Sequence, residues 1–338
     1  MVRLLTYVTC KSTPMIGFFI QRLLQAVLVV VAMSMLVFVG VYAIGNPIDV
    51  MIDPASGQAL RESLIQRYGF DRPLYAQYFI FMGNLLHGDM GESFIYRLPV
   101  FGLIFSRLPA TLELAVSAML IATLLGIPLG IWAGYKPDAV SSKVIMGVSV
   151  LGFSVPTFWV GLLLIMGFAV ELRWLPSGGR GPVTELLGMK LSIGSLEGLS
   201  HLVLPAFNLA LFKLGLLIRL ARAGTVEVMS SDYVRFARAQ GLSESKVLGL
   251  HVLKNISIPI VTVFGLEFGS TLAFAVVTET VFNWPGMGKL IIDSITVLDR
   301  PVMVAYLVLV VVLFVLINFV VDLIYGQLDP RIRIKAAQ

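Results

Sequence analysis

Cysteine is nearly absent: Cys10 is the only one in 338 residues. An intramolecular disulfide is thereby excluded, and so is a thiolate metal cluster. Histidine is as scarce, with His87, His201 and His251 far apart and without ligand spacing. Charge is thin as well. Charged residues make up 13% of the chain, about half of the roughly 25% usual in soluble domains. A phosphate-cradling G-x-x-x-x-G-K-[ST] loop is missing, because Gly288–Lys289 is followed by Leu290; the chain has no ATP-binding loop of its own. No nucleophile–base pair stands out, which leaves a membrane-embedded enzyme without a catalytic constellation. Internal repeats and low-complexity tracts are also lacking.

What is present is apolar, and it comes in blocks. Hydrophobic residues are 57% of the chain, and the mean hydropathy is +0.90. A helix crosses the bilayer core with roughly 20 apolar residues, and on that measure six spans are expected, at 20–44, 108–134, 143–170, 201–221, 257–281 and 302–325. Pro128 and Pro156 fall inside spans, where neighbouring helices or hydroxyls can re-satisfy the backbone; they read as packing kinks or parts of a moving gate. The apolar run Leu23–Ile44 is too long for a signal-peptide core and lacks a convincing cleavage site, so it reads as a retained span. Residues 1–14 look dispensable, and Met15 is an alternative start to Met1.

The net charge of +5 fits cytoplasmic loops facing anionic lipid better than nucleic acid in a chain this apolar. Lys and Arg set the orientation. With the N-terminus inside, the inner flanks hold Arg22, Lys136, Lys143, Arg219, Arg222, Arg235, Arg238, Lys246, Lys254, Arg331 and Arg333. The outer basic residues are offset by many carboxylates. Both ends therefore fall inside: a cytoplasmic segment 1–19, a membrane domain 20–325 and a cytoplasmic tail 326–338. One large, partly helical outer loop covers 45–107, and a second, Gly-, Ser- and Pro-rich one covers 171–200.

A polar, basic island at 223–256 interrupts the apolar pattern on the inside. "DYVRFARAQ" places Tyr233, Phe236 and Ala237 on one face with Arg235 and Arg238 beside it. Gly241 breaks that helix, and Ser243 with Glu244 starts a second in N-cap style. Pro259 then opens the fifth span. Two short helices about a glycine make a compact knob that transmits force, or a basic helix that lies on lipid.

The order of residues in the island, "YVRFARAQGLS" with His251, Leu253, Asn255 and Pro259, resembles the docking loop (the EAA loop) of the membrane-spanning permeases of ABC importers, in their peptide, opine and nickel branch. It departs at Phe236, where that branch usually carries a small polar residue, and at Gln240, where it carries lysine. The resemblance runs from about Arg22 to Arg333. "GFDRPLYAQY" with "GDMGESF" is similar to the first outer loop, "RLPATLELA" to the start of the second span and "SVPTFW" to the third. "ETVFNWPGMGKL" is similar to the outer end of the fifth span, and "DLIYGQLDPRIR" to the C-terminus.

The resemblance implies an all-α integral membrane protein with six transmembrane helices, the type I ABC importer permease fold and a cytoplasmic coupling helix. It implies a bacterial inner-membrane location and a heterodimer with a second, homologous permease. Two ATPase subunits would bind inside, supplying the ATP and Mg that this chain does not bind, and an extracytoplasmic solute-binding protein would dock outside. Tyr233, Arg235, Ala237, Arg238, Gly241 and Leu242 would couple to the ATPase, with Gly241 giving the turn. Di- and oligopeptides lead as cargo; nickel chelates, opines, glutathione and oligosaccharides are alternatives. An ion-gradient-driven transporter would need clustered ionisable groups at mid-membrane, and only Lys213 and Glu267 offer any.

Charges within spans are functional hypotheses by default. Lys213 and Glu267 either pair with each other or line the substrate path as transient complements to a zwitterionic peptide. Glu113 and Glu279, near span ends, read as structural hydrogen-bonding groups or partner contacts. Asp322 and Asp329 are expected to pair with Arg331 or Arg333. Trp132, Trp159, Trp174 and Trp284 read mostly as interfacial anchors, and "GDMGES" as a turn-rich surface for the binding protein.

Overall fold

Long apolar stretches cannot satisfy their backbone except internally when lipid surrounds them, so they fold as helices. A computed structural model describes residues 15–43, 57–69, 71–186 and 188–328. The first helix, α1 (Met15–Ala43), is followed by two helices in the outer loop, α2 (Gln58–Tyr68) and α3 (Leu74–Leu86). Then come α4 (Val100–Tyr135), α5 (Val140–Ser154) and α6 (Thr157–Leu164), whose last turns, Ile165–Glu171, widen to π geometry. A short antiparallel hairpin pairs β1 (Thr184–Leu186) with β2 (Met189–Leu191) across Gly188 at φ +75; with a single bridge between Glu92 and Pro99, it departs from an all-α chain among the described residues. The remainder is α7 (Leu196–Met229), α8 (Asp232–Ala239), α9 (Glu244–Lys246), α10 (Lys254–Val281), α11 (Met287–Thr296) and α12 (Arg300–Leu328).

Five helices among the described residues are long and apolar enough to cross a membrane, within α1, α4, α7, α10 and α12. The third expected span, 143–170, is not one helix. It is the pair α5 and α6, bent by 109°. The cause is local: Pro156 drives the residue before it out of helical space, and Val155 sits at φ −90, ψ 134. Counting that pair as one span gives six. Pro109, Pro128, Pro205 and Pro259 lie inside continuous helices.

Two spans outrun their apolar stretches. α4 has 36 residues and α7 has 34, or about 54 and 51 Å at the helical rise, against roughly 30 Å of hydrocarbon. The outer loop therefore ends at Pro99 rather than 107. The extra turns are held by packing, since Val100 and Ile104 are fully buried against Met287, Met303 and other residues of α11 and α12. At the start of α7, Ser195 caps the helix by accepting from the Gly198 N–H at 3.0 Å.

Two buried clusters organise the molecule. One joins α4, α7 and the island, through Leu114, Ala118, Leu217, Ala221, Val234, Val252 and Ile256, up to Trp284. The other joins α1, α11 and α12 with the start of α4, through Phe38, Ile104, Met287, Leu290, Met303 and Tyr306. The axis of the first is the crossing of α4 over α7. Gly126, Gly130 and Gly134 are spaced four apart on one face of α4, and their missing Cβ atoms leave room for Leu217, Ala221 and Thr225. Small residues at that spacing let helix backbones approach closely.

Candidate functional site

The island is a helix, a turn and the foot of the next span. α8 buries Val234 in the first cluster, buries Ala237 as well, and exposes Tyr233 and Phe236, at 46% and 65%. Ala237 thus points inward, not along the outward face with Tyr233 and Phe236 where periodicity placed it. The helix stops by a Schellman arrangement: the Leu242 N–H donates to the Ala237 carbonyl at 3.2 Å, and the Gly241 N–H to the Arg238 carbonyl at 2.9 Å. That closure needs a left-handed residue, and Gly241 supplies it at φ +81.

The turn is clamped from outside. Arg238 donates from Nε and Nη2 to the two carboxylate oxygens of Glu244, at 2.9 and 3.1 Å. This bidentate hydrogen bonding holds the Arg238 pKa above its ordinary value. Arg235 is exposed, and its 3.3 Å contact with Asp232 is equally exposed, so it adds little to stability. Leu242 is half-buried and packs against the first cluster.

The second helix of the island differs from expectation. Ser243 stands at the N-cap position with extended dihedrals, but its side chain caps nothing and meets Ser245 instead. From Glu244 the chain runs through α9, a π-helical segment Val247–Leu253 and α10 with helical dihedrals at each junction. The knob's second helix is therefore the foot of the fifth span, and Pro259 lies within the helix rather than opening it. Val247 and Val252 are fully buried beside Val234, the Tyr233 and His251 rings meet at 5.9 Å, and Asn255 donates to the His251 carbonyl at 2.6 Å. Val234 and Glu244, which fix the helix, carry no signal in the sequence beyond apolarity and charge.

Within the spans, Lys213 of α7 and Glu267 of α10 form an ion pair. Lys213 also donates to the Ser270 hydroxyl at 2.8 Å, and Ser270 lies 3.1 Å from the same Glu267 oxygen. The Lys213 side chain is 9% exposed and that of Glu267 is 24%.

Two further carboxylates organise the end of the bundle opposite the island. Glu113 of α4 receives Arg180 at 2.6 Å, both the N–H and hydroxyl of Ser192, and the Ile193 N–H, which ties the second outer loop to the span. Glu279 of α10 is fully buried. It accepts from the Thr111 hydroxyl at 2.6 Å and the Lys289 N–H at 2.9 Å, with Gly286 and Gly288 packed so tightly on it that no Cβ fits. Trp284 is fully buried and donates its indole N–H to the Ala110 carbonyl at 2.9 Å. It is a core residue, not the interfacial anchor its composition suggested.

The "GDMGES" turn lines an outer cleft of about 490 Å³ with Arg72, Asn84, Arg300 and Phe38. Ser93 beneath it is buried and hydrogen-bonds to Asp299, which also accepts from the Phe94 N–H at 3.2 Å. No group of three or more His, Cys, Asp or Glu among the described residues is placed to hold a metal ion. The pairing expected of Asp322 and Asp329 with Arg331 or Arg333 falls outside the described side chains, as do residues 1–14.

Comparison with known proteins follows the same outline. The family model of the binding-protein-dependent transport system inner membrane component matches residues 126–334, and that of the N-terminal region of such membrane components matches residues 15–115. The chain is 40% identical to the di/tripeptide transport system permease protein DppB of Pseudomonas aeruginosa, over 94% of this chain and 99% of that one. It is 38% identical to the oligopeptide transport system permease protein AppB of Bacillus subtilis, with 94% and 99% covered. The glutathione transport system permease protein GsiC of Escherichia coli is 38% identical, with 95% and 100% covered. Among solved structures, the MetNI methionine ABC transporter in inward-facing conformations superposes with a TM-score of 0.52 at 15% identity, covering 67% of this chain and 96% of that one. At that identity the likeness is one of fold.

Proposed function

The chain belongs to the family of binding-protein-dependent transport system inner membrane components, and from that premise we propose that it is one permease subunit of an ATP-driven importer of di- and oligopeptides. It is a multi-pass inner-membrane protein. Its relatives over nearly the full length are named as permeases for dipeptides, oligopeptides and glutathione, and all of those are short peptides.

In this reading a second, homologous permease completes the pathway, two ATPase subunits bind inside with ATP and Mg, and a binding protein delivers cargo from outside. Both termini lie in the cytoplasm. The coupling residues are Tyr233, Arg235, Ala237, Arg238, Gly241 and Leu242, in three roles. Tyr233 and Arg235, exposed with Phe236, meet the ATPase. Ala237 and Leu242 seat the helix on the core. Arg238 and Gly241 set the turn. Lys213 and Glu267 line the pathway. Closure of the ATPases pushes the knob, the spans rock, and the path opens outward; relaxation after hydrolysis opens it inward.

The observation that carries this is the turn at Gly241. A helix presenting two aromatic side chains, stopped by a left-handed glycine and locked to the foot of the fifth span, is a rigid lever on the inner face. The test is ATP-dependent uptake of a labelled dipeptide into vesicles holding the complete transporter. Gly241→Asp is expected to lower uptake at least tenfold with the chain still inserted. Undiminished uptake in that variant would remove the island from the coupling role. A wild type that moves no peptide while its ATPase responds to another ligand would leave the machine and change the cargo.

A further inference from the structure

One chain of contacts on α5, α7 and α10 is not used by the lever. Phe212 and Arg219 are seven residues apart on α7, two turns along one helical face and about 10 Å. Phe153 of α5 fills the interval. Its ring stacks on Phe212 at 4.4 Å between centroids, and the Arg219 guanidinium lies over it at 4.8 Å. At the other end the Lys213 ammonium is 5.1 Å from the Phe212 ring and is held by Glu267 and Ser270. The order is therefore cation, ring, ring, cation and carboxylate.

Arg219 is the unbalanced member. Its Nε donates to the Gly215 carbonyl at 3.3 Å, and no carboxylate pairs with it among the described residues. It also stands ten residues from the end of α7, about 15 Å along the helix. Because α7 outruns its apolar stretch, whose expected end is residue 221, that places Arg219 at the inner flank of the span, where a cation without a carboxylate partner meets the water end of a path. Phe153, 42% exposed, lies just before the break at Pro156 that separates α5 from α6.

We propose that this ladder is a peptide-reading site in the pathway, with Arg219 taking the cargo's C-terminal carboxylate, Glu267 its ammonium, and Phe153 with Phe212 the chain between. The inference rests on peptide import as the reaction. The spacing suits the class: contacts of 4.8, 4.4 and 5.1 Å put the Arg219 guanidinium at most about 14 Å from the Lys213 ammonium that Glu267 holds, within reach of an extended tri- or tetrapeptide of about 10–14 Å. The charges suit it too. With Lys213 and Glu267 paired, Lys213, Arg219 and Glu267 together carry one net positive charge, the complement of one carboxylate. Aromatic faces accept side chains of many kinds, so the ladder reads the ends and tolerates the middle.

The test uses the complete transporter in proteoliposomes with its binding protein, radiolabelled trialanine as probe, and two readouts: uptake, and ATP hydrolysis stimulated by the loaded binding protein. Arg219→Gln is expected to raise the half-saturating peptide level or lower uptake about tenfold with stimulation of hydrolysis retained, and Arg219→Lys to restore most of the uptake. Uptake in Arg219→Gln equal to wild type would overturn the proposal. A second measurement needs no variant. Trialanine amide, with uptake normalised to the amount the binding protein carries, is expected to move at least tenfold more slowly than trialanine through the wild type. Equal rates would overturn the carboxylate assignment even if Arg219→Gln failed to assemble. A wild type that moves neither peptide, yet hydrolyses ATP in response to a different loaded ligand, would overturn the cargo reading on which the site rests.

Discussion

Glu113 sits in the second span with its side chain 1% exposed and five hydrogen bonds arriving from residues far along the chain. Removing one partner of such a buried pair leaves the other charge uncompensated, at about 3–5 kcal/mol. Glu113→Ala strands the Arg180 guanidinium and the Ser192 and Ile193 N–H groups together. The purified protein is expected to lose that order of stability, read as a lower Tm, and Glu113→Gln, which keeps an acceptor, to lose less. Equal loss in both variants would place the stabilisation in charge alone. A structural role for Glu113 was legible in the sequence because a carboxylate at a span end must find donors. That the donors would be the backbone of a Gly- and Ser-rich outer loop was not, since such a loop has no periodicity to say where it folds back. Trp284 was misread for a related reason: an aromatic near a span end is an anchor by position, and only the fold shows the Ala110 carbonyl that keeps it inside.

The elements divide in the same way. Where structure rests on local chemistry, the turn of the island is as read: a glycine ends the first amphipathic stretch, and Gly241 is left-handed as that turn requires. Where it depends on continuity, the reading slips. A π-helical segment has no residue signature, so the foot of the fifth span looked like a separate helix. The 109° break in the third span follows from Pro156, yet four other prolines leave their helices unbroken, so proline alone did not decide it. The glycine stripe of α4 was on the page as "GIPLGIWAG" and drew notice only for its proline. It makes a sharp prediction. A Cβ on Gly130 would lie 2.6 Å from the Ala221 Cβ and from the Ile218 carbonyl oxygen, so Gly130→Ala must part α4 from α7, at about 1–3 kcal/mol. Gly147, on α5, has nothing within 4 Å of its added Cβ, and Ala there is expected to be neutral or slightly stabilising. Thermal unfolding of the two variants side by side checks the pair, and comparable losses would show that helix propensity rather than the crossing sets the response.

At the scale of the molecule, one of the two buried clusters ties α8 to α7 and to most of α4. Val234 of α8 and Val252 beside it belong to the same cluster as Ala110 and Trp284 at the far end, and α7 runs beside them without a break from Leu196 to Met229. α1, α11 and α12 belong to the other cluster. Packed interiors do not deform continuously; they shift as units. The start of α4, Val100 and Ile104, belongs to that second cluster, so a push on α8 is expected to carry α7 and the part of α4 from Ala110 onward with it and to change their relation to α1 and the helices of the 45–99 loop. The chain's single cysteine makes this measurable by spin labelling in a Cys10→Ser background. Labels at Phe236 and Leu196, 65% and 88% exposed, report the lever body against itself, and a pair at Phe236 and Tyr75 reports it against the other body. Between the nucleotide-free and ATP-trapped transporter, the first distance is expected to hold within about 2 Å, the scale of small helix shifts, while the second changes by more. If the first distance changes as much as the second, α7 bends during the stroke, and the lever ends within the membrane rather than reaching the outer loop.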